Sequence, residues 1–546
     1  MRRLLYPLLF AAWPVLGIAA GSPGQYRTSD LLIVLAVVVL ASALALAAVL
    51  AVAQALDRTG RGAALAAALV TLAIAWCFYY IPAQHALSTI SHRFSRDAVL
   101  VPLGLLLTLL AVAWLLRQSR DRLSSVGAFM TRFGLLLLAM VVVQAMVPQG
   151  RGPHAIRHSS LVRELAQPLR AEAATLRRRN TPLRDIYLIV LDGHANARVL
   201  REVFDLDNSP FEDSLRTLGF LVPMGMRSNY VQTYLSVSSL LNAAHVTRLT
   251  EDAGAASKDH SLPTYLVKHN RAARFLKEQG YKYVLFPSAW WAATANSPLA
   301  DEEFDPRPRF SLVDEIRRTE LRQAVLRSSL LRYAIGPNRE SVPMVQHILR
   351  SFEGLHEVAA DPAPTFTFAH VLLPHVPYLL DESCRPLERP ISDDMEADTP
   401  EQRADYIGQV RCVDRLVLDL VTRLLQRSST PPVILVVGDH GSRFADVGFY
   451  GHPERVSTAF IRERFGAFGA FYLPAGGDSV FREPVTLVNV LGNVLRYYFN
   501  ADIAPSANDM YVSGQQPYRF YPVDQSLFST TRGSAAGCSR STRPPC

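Results

Sequence analysis

Up to about residue 147 the chain is written in long runs of Leu, Ala and Val, whereas beyond it charged residues, Pro, Asn and Tyr recur at ordinary globular frequency. A hydrocarbon core roughly 30 Å thick takes about 20 mostly apolar helical residues, because backbone polar groups must be satisfied within the segment. Five stretches meet that pattern, at about 4–20, 31–55, 63–81, 98–116 and 129–146. The first resembles a cleaved signal peptide in length, but Pro14 interrupts it and further apolar stretches follow, so it reads as the first of five spans.

From Asp185 the pattern changes to short apolar runs that end in polar loops and lead into helical periodicity. Segments 186–191, 283–286, 365–369 and 433–437 are short and rich in β-branched or aromatic residues, which predicts buried strands. Helical patterns at 209–218, 269–279 and 402–425 alternate with them. That alternation predicts an α/β domain with a largely parallel central sheet, whose chemistry should gather at the carboxyl ends of its strands. The organisation is therefore a five-helix transmembrane domain (1–148), a juxtamembrane linker (149–182), an α/β domain (183–525) and a C-terminal tail (526–546) rich in Ser, Thr, Arg and Pro. In the linker, Ile156, Leu161, Leu165, Leu169 and Leu176 recur at roughly helical spacing. They predict either an amphipathic helix lying on the bilayer, kinked at Pro168, or a simple connection.

A net charge of +8 raises the question of nucleic acid. The excess is Arg scattered through loops, with no clustered stripe interleaved with aromatics, so nucleic-acid binding is excluded as the function class. Anionic head groups are the more natural partner of Arg177, Arg178 and Arg179. In the short loops, Arg2, Arg3, Arg58, Arg61, Arg117, Arg120 and Arg122 fall on one side of the apolar stretches, and Arg27, Arg93 and Arg96 on the other. The positive-inside rule places the first group in the cytoplasm, and five spans then deliver the α/β domain to the periplasmic or extracellular side of a multi-pass cell (inner) membrane protein. The spans carry no run of acidic or His residues, which argues against a transporter. An oxidising compartment permits disulfides between Cys384 and Cys412 and between Cys538 and Cys546, although two other pairings of these four are open. Cys77 lies in an apolar run.

The first predicted strand ends in Leu191-Asp192-Gly193-His194, and the segment 433–437 leads into Gly438-Asp439-His440-Gly441. Two carboxylates and an imidazole from two strand ends form a ligand set that suits a divalent cation. Thr233 sits where a polar stretch enters an apolar helical run. Its hydroxyl reads either as a helix cap or as a nucleophile whose pKa a metal lowers and whose anionic target the helix N-terminus helps to hold. His370 and His375 follow the third predicted strand and are candidates for protonating a leaving group or binding phosphate.

The order of these segments over residues 186–474 resembles the alkaline phosphatase superfamily, and within it the sulfatase-like, membrane-anchored branch that includes lipoteichoic acid synthases and lipid A phosphoethanolamine transferases. The resemblance rests on the strand that ends in Asp192, on Thr233 with Ser236 three residues on, on His375-Val376-Pro377-Tyr378 and on Asp439-His440-Gly441. It implies an alkaline-phosphatase-like α/β fold in which Asp192, Thr233, Asp439 and His440 hold one divalent metal, Mn or Zn before Mg or Ca. It further implies Thr233 as nucleophile and His375 at the substrate. Two departures stand out: Asp192 occupies a position that is often Glu in the transferases, and Gly193 breaks the Asp-Asp pair of typical sulfatases. Thr233 cannot supply the formylglycine aldehyde that a sulfatase uses. The expected activity is transfer of a phospho-headgroup, such as phosphoglycerol or phosphoethanolamine, between membrane lipid or envelope glycan through a phosphothreonine. His370, His452 and Arg443 are further candidates near the substrate. Hydrolysis of a phosphate or sulfate ester, and a non-catalytic scaffold with the same fold, are the alternatives.

Overall fold

Five apolar helices open the chain in the computed structural model: α1 (Tyr6–Gly21), α2 (Thr28–Leu56), α3 (Gly62–Ser88), α4 (Asp97–Leu116) and α5 (Arg120–Met146). The structure describes residues 5–528 apart from 22–25, 27, 57–60, 89–96, 147–151, 171–182, 289–291, 305–319, 332–336, 388–397 and 447. Helices α2 to α5 are long and apolar enough to cross a membrane. Helix α1 is not: its 16 residues reach only about 24 Å at 1.5 Å per residue, short of the roughly 30 Å hydrocarbon core. The expected five spans are thus corrected to four. Helix α1 packs against α2, α3 and α5 and buries Tyr6, Ala11 and Val15 in the bundle. Leu105, Leu106, Leu109 and Leu110 of α4 face outward, an aliphatic surface suited to hydrocarbon.

The Arg-rich connections gather at one end of the bundle, because the guanidinium of Arg61 before α3 donates to the carbonyl of Gln118 between α4 and α5 at 3.0 Å. Counting only α2 to α5, residues 28 and 146 lie at the opposite end from Arg61, Arg117, Arg120 and Arg122. The side assigned to the α/β domain therefore does not depend on whether α1 crosses.

Two short helices follow, α6 (Gly152–His158) and α7 (Ser160–Leu165). The Ser159 hydroxyl caps α7 by accepting from the amide of Val162 at 3.0 Å. Leu161, Val162 and Leu165 are buried among Tyr230, Leu235, Leu262 and Leu266 of the α/β domain. Of the apolar positions that the linker offered to a bilayer, Leu161, Leu165 and Leu169 are buried in protein, Leu176 lies outside the described residues, and α7 ends before Pro168 rather than kinking there. Arg177–Arg179 and residues 529–546, with Cys538 and Cys546, lie outside the described residues.

The α/β domain comprises β1 (Ile186–Leu191), α8 (Thr233–Asn242), β2 (Lys282–Phe286), β3 (Glu302–Glu303), α9 (Glu320–Arg327), α10 (Pro337–Glu357), β4 (Thr365–Val371), α11 (Pro400–Arg427), β5 (Val433–Gly438), α12 (Thr458–Phe465), β6 (Gly469–Tyr472) and α13 (Leu487–Phe499), with further short helices between them. The sheet order is β3-β2-β4-β1-β5-β6, parallel except for β6. All four predicted strands form within two residues of the expected bounds, while β3 and β6 were not foreseen. Period-two alternation splits β1 between two cores: Ile186, Leu188 and Val190 join Val237, Leu240 and Val490 on one face, and Tyr187, Ile189 and Leu191 join Val417, Leu420 and Phe352 on the other. Burial on both faces is why these strands read as unbroken apolar runs.

Two links tie this domain together away from the sheet. Cys384 and Cys412 form a disulfide. His194 is held between the Ala195 carbonyl at 2.9 Å and the Asp414 carboxylate of α11 at 2.8 Å, which removes it from any metal cluster. One piece of the domain also reaches back to the membrane helices. Helix α9 packs on α1 and α2, Leu321 and Val325 are buried in their cluster, and the amide of Leu330 donates to the carbonyl of Cys77 at 2.7 Å. Cys77 lies in the half of α3 remote from Arg61.

Replacing Asp414 by Ala strips a fully buried ring nitrogen of its partner. The expected loss is about 1–3 kcal/mol, measured as a lowered midpoint in thermal unfolding of the detergent-solubilised chain.

Candidate metal centre and nucleophile

Strand register builds the site. Leu191 of β1 lies beside Val371 of β4 on one side and Gly438 of β5 on the other, so Asp192 and Asp439 are the next residues out of two adjacent parallel strands. The Asp192 amide still donates to the Val371 carbonyl at 2.9 Å, which holds its carboxylate at the sheet edge. Gly193 then turns the chain with φ +74°, a conformation that favours glycine. The turn is secured by Tyr406 of α11, whose hydroxyl donates to the Gly193 carbonyl at 3.0 Å and accepts from the Ala195 amide at 3.2 Å. On the other strand, Gly441 passes so close to the backbone of α12 that a Cβ there would lie 2.0 Å from the Glu463 carbonyl oxygen.

One carboxylate or imidazole atom from each of Asp192, Asp439 and His440 lies within 4.8 Å of the others, and all three residues are buried. His440 Nε2 stands 3.7 Å from Asp192 Oδ1 and 3.3 Å from Asp439 Oδ2. Asp439 Oδ1 accepts from the amides of Gly193 at 2.9 Å and His440 at 3.0 Å, which fixes that carboxylate. The Gly441 carbonyl, 3.0 Å from His440 Nδ1, assigns the ring proton to Nδ1 and leaves the Nε2 lone pair for a ligand. Thr233 Oγ1 is 3.2 Å from that same Nε2.

Thr233 is the first residue of α8, and Gln232 is its N-cap. The Thr233 hydroxyl therefore does not act as the cap; it faces the cluster. Gln232 anchors the approach by donating to the carbonyls of Ser513 and Gly514 at 3.0 and 2.8 Å. Ser236, which the motif paired with Thr233, turns away and donates to the Tyr230 carbonyl at 3.0 Å.

Two carboxylates buried side by side cannot both ionise cheaply. Burial, then the charge on Asp192, pushes the Asp439 carboxyl up to about 7. Burial also acts to raise Asp192, but the positive charge that His375, His370 or His440 carries when protonated, with the hydrogen bond from His370, outweighs it and holds Asp192 below the usual carboxylate range. Burial, followed by the nearby Arg464 cation, drives His440 well below its ordinary value, so the ring is neutral. Two carboxylates, a neutral imidazole nitrogen and a hydroxyl converge here, a set that fits one divalent ion in residue type and charge.

The remaining predicted residues divide. His370, at the end of β4, has Nε2 3.5 Å from Asp192 Oδ2 and Nδ1 2.9 Å from the Thr294 hydroxyl. The His375 ring centroid is 6.4 Å from that of His440, and its Nδ1 is engaged by the Val376 carbonyl. Burial lowers its pKa, so it too is neutral. Arg443 is buried and electrostatically coupled to His375 and Tyr378. His452 is exposed, and its ring contacts Glu454 at 3.6 Å rather than the cluster.

Three residues of the site were not foreseen. Glu463 accepts from the Ser442 hydroxyl and Phe444 amide at 2.7 Å and from the Ala445 amide at 2.8 Å, binding down the loop that carries His440. Arg464, 3% exposed, donates to His440 Nε2 at 3.0 Å. Tyr450 feels Arg464, Asp192, Arg443 and Asp439 together, although burial is what chiefly raises its pKa. Glu463 and Arg464 sit in an Arg-Glu-Arg stretch that reads as a solvated helix face, and only the fold turns two of its members inward.

No family model and no curated protein matches the chain. Solved structures do. The C-terminal periplasmic domain of EptC from Escherichia coli aligns at 12% identity over 66% of this chain and 96% of its own, with a TM-score of 0.43. That domain has also been solved in complex with Zn. The integral membrane lipooligosaccharide phosphoethanolamine transferase EptA from Neisseria meningitidis aligns at 13% identity over 90% of this chain and 93% of its own, with a TM-score of 0.39. BT1596, a 2-O glycosaminoglycan sulfatase, aligns at 13% identity over 60% and 72%, with a TM-score of 0.37. At such scores the likeness assigns no residue. These structures, to which the chain is similar, include phosphoethanolamine transferases and a sulfatase.

Proposed function

We propose that the chain is a membrane-anchored, metal-dependent enzyme of the alkaline phosphatase superfamily that transfers a phospho-headgroup between membrane lipid or envelope glycan through a phosphothreonine at Thr233. The observation that carries this reading is the placement of Thr233 Oγ1, at the first residue of a helix and 3.2 Å from the His440 nitrogen that also faces both carboxylates. Asp192, Thr233, Asp439 and His440 would hold the ion. A divalent cation bound there lowers the pKa of the hydroxyl and neutralises charge on the phosphoryl group.

The chain's own groups supply the remainder. The N-terminus of α8 directs amides and the positive end of its dipole toward the incoming anion. Thr233 Oγ1 forms a bond to phosphorus and gives up its proton, while the ester oxygen of the donor departs with the electron pair and takes that proton. In the second step an acceptor hydroxyl attacks the phosphothreonine and the Oγ1–P bond breaks. His375, neutral and with its proton on Nδ1, has Nε2 as the acceptor for the proton that this hydroxyl gives up. Water as acceptor turns the same chemistry into hydrolysis. A sulfatase mechanism is disfavoured because Thr233 cannot be oxidised to the required aldehyde.

An active site outside the cytoplasm is supported by three features. The Cys384–Cys412 disulfide belongs to an oxidising compartment. The Arg-rich loops occupy the end of the bundle away from the end of α5. Leu330 meets α3 in the half remote from Arg61. Substrates carried in the outer leaflet then reach the site without leaving the membrane surface.

Incubation of the full chain with phospholipid vesicles and Mn or Zn is expected to leave a headgroup-phosphate adduct on Thr233, read by peptide mass spectrometry. Thr233→Ala should lower turnover on the order of 10³-fold or more; full metal-dependent turnover by that variant would sink the assignment. Chelation should abolish activity, and restored Mn or Zn should raise the melting temperature. Since Asp439 must lose its proton to bind a cation and its carboxyl sits near 7, cation affinity should strengthen as pH rises through about 7. Titration calorimetry at several pH values checks this, and Asp439→Asn should both weaken binding and flatten the pH profile.

A further inference from the structure

Arg464 is a buried cation with no carboxylate bonded to it among the described residues. It is the penultimate residue of α12 and is 3% exposed. Its neighbour Glu463 spends both carboxylate oxygens on the 442–445 loop. The guanidinium is held instead by neutral groups. Nε and Nη2 donate to the Val231 carbonyl at 2.9 and 2.8 Å, Nη1 donates to the Gly441 carbonyl at 3.2 Å, and Nη2 also donates to His440 Nε2 at 3.0 Å. The ring of Phe449 lies 5.8 Å away. Burying a charge this way is expensive unless an opposite charge compensates it, and the acidic groups that act on it are Asp439, Asp192 and the Tyr450 phenol, all around the metal cluster.

Two of its contacts bear on the reaction. Val231 lies two residues before the nucleophile, so the bond to its carbonyl fixes the lead-in to Thr233. His440 Nε2 has a single lone pair, because the Gly441 carbonyl assigns the ring proton to Nδ1. That lone pair serves either the Arg464 N–H or a cation, and not both. When a cation takes it, the second N–H of Nη2 is released while the other stays on Val231. The donor so released lies around the same nitrogen as Thr233 Oγ1, at 3.0 and 3.2 Å respectively.

We propose that Arg464 is an anion-binding residue of the transfer site: fastened by Val231 and Gly441, it presents one Nη2 N–H to a non-bridging phosphoryl oxygen once His440 has given its lone pair to the cation. Cation binding therefore precedes and enables binding of the phosphoryl group. The inference rests on the reading of Thr233 and the Asp192-Asp439-His440 cluster as a phosphoryl-transfer site.

The test is calorimetry on the full chain in detergent, with Mn or Zn and with inorganic phosphate as the probe, comparing the native protein, Arg464→Gln and Arg464→Lys. In the native protein, phosphate should bind only after the cation. Arg464→Gln should keep its cation affinity within about threefold, since a competing donor has gone, while phosphate affinity falls about 10- to 100-fold, as expected for one charge-assisted hydrogen bond. Arg464→Lys retains the charge but cannot serve Val231 and an anion together, so it should lose phosphate affinity several-fold; it decides the matter if the Gln variant does not fold. Phosphate affinity within twofold of native in the folded variants overturns the proposal, as does parallel loss of cation and phosphate, which would make Arg464 a structural tie. A native protein that binds neither probe overturns the transfer-site reading itself.

Discussion

Two carboxylates forced side by side at the edge of a parallel sheet are the constraint on which the rest of the site depends. The pairing of β1 with β5 allows no other placement of Asp192 and Asp439, because each is the residue that follows paired strand positions. Their mutual repulsion in a buried setting is a standing cost, and the surroundings answer it in graded ways. Three imidazoles surround Asp192, two backbone amides hold one oxygen of Asp439, and Arg464 brings a guanidinium to the same His440 nitrogen that faces both carboxylates. None of these supplies the compact double charge that would let both carboxylates ionise at once.

The loops around this pair are correspondingly rigid. Tyr406 fastens the turn after β1, Glu463 fastens the loop after β5, and Gln232 fastens the entry to α8. Each uses a buried polar side chain to satisfy backbone groups that no secondary structure could satisfy there, which is how a site at the ends of strands keeps its geometry. The same economy explains Gly441, where the backbone of α12 leaves no room for a side chain.

The membrane part is coupled to this domain rather than merely preceding it. The apolar positions of α7 complete a core that includes Tyr230 and Leu235, residues flanking Thr233 in sequence. Helix α9 returns to the bundle from the middle of the α/β domain and buries Leu321 and Val325 against it. The domain thus holds the linker helix that follows the bundle and also packs α9 on the bundle itself, which restricts how far the site can move from the membrane surface.

What the sequence determined by itself was whatever depends on local pattern: apolar helices, the four principal strands, the parallel alternation, and strand-end residues with metal-ligand chemistry. These follow from periodicity and from side-chain type, and they need no knowledge of what packs where. The number of spans was misjudged because Pro14 and the 16-residue length of α1 separate a helix buried in the bundle from one that crosses alone, a distinction that depends on neighbours. The amphipathic spacing at 156–165 was legible, but not the fact that protein rather than lipid covers it. Likewise His194 and His440 occupy similar positions after their strands, and only Asp414, arriving from α11, makes the first structural and leaves the second for a ligand. Glu463 and Arg464 lie in a run of alternating charge that nothing in the local sequence sets apart. Burial and partner choice come from contacts distant in sequence, which is why tertiary structure alone decided which polar residues gather around the carboxylate pair.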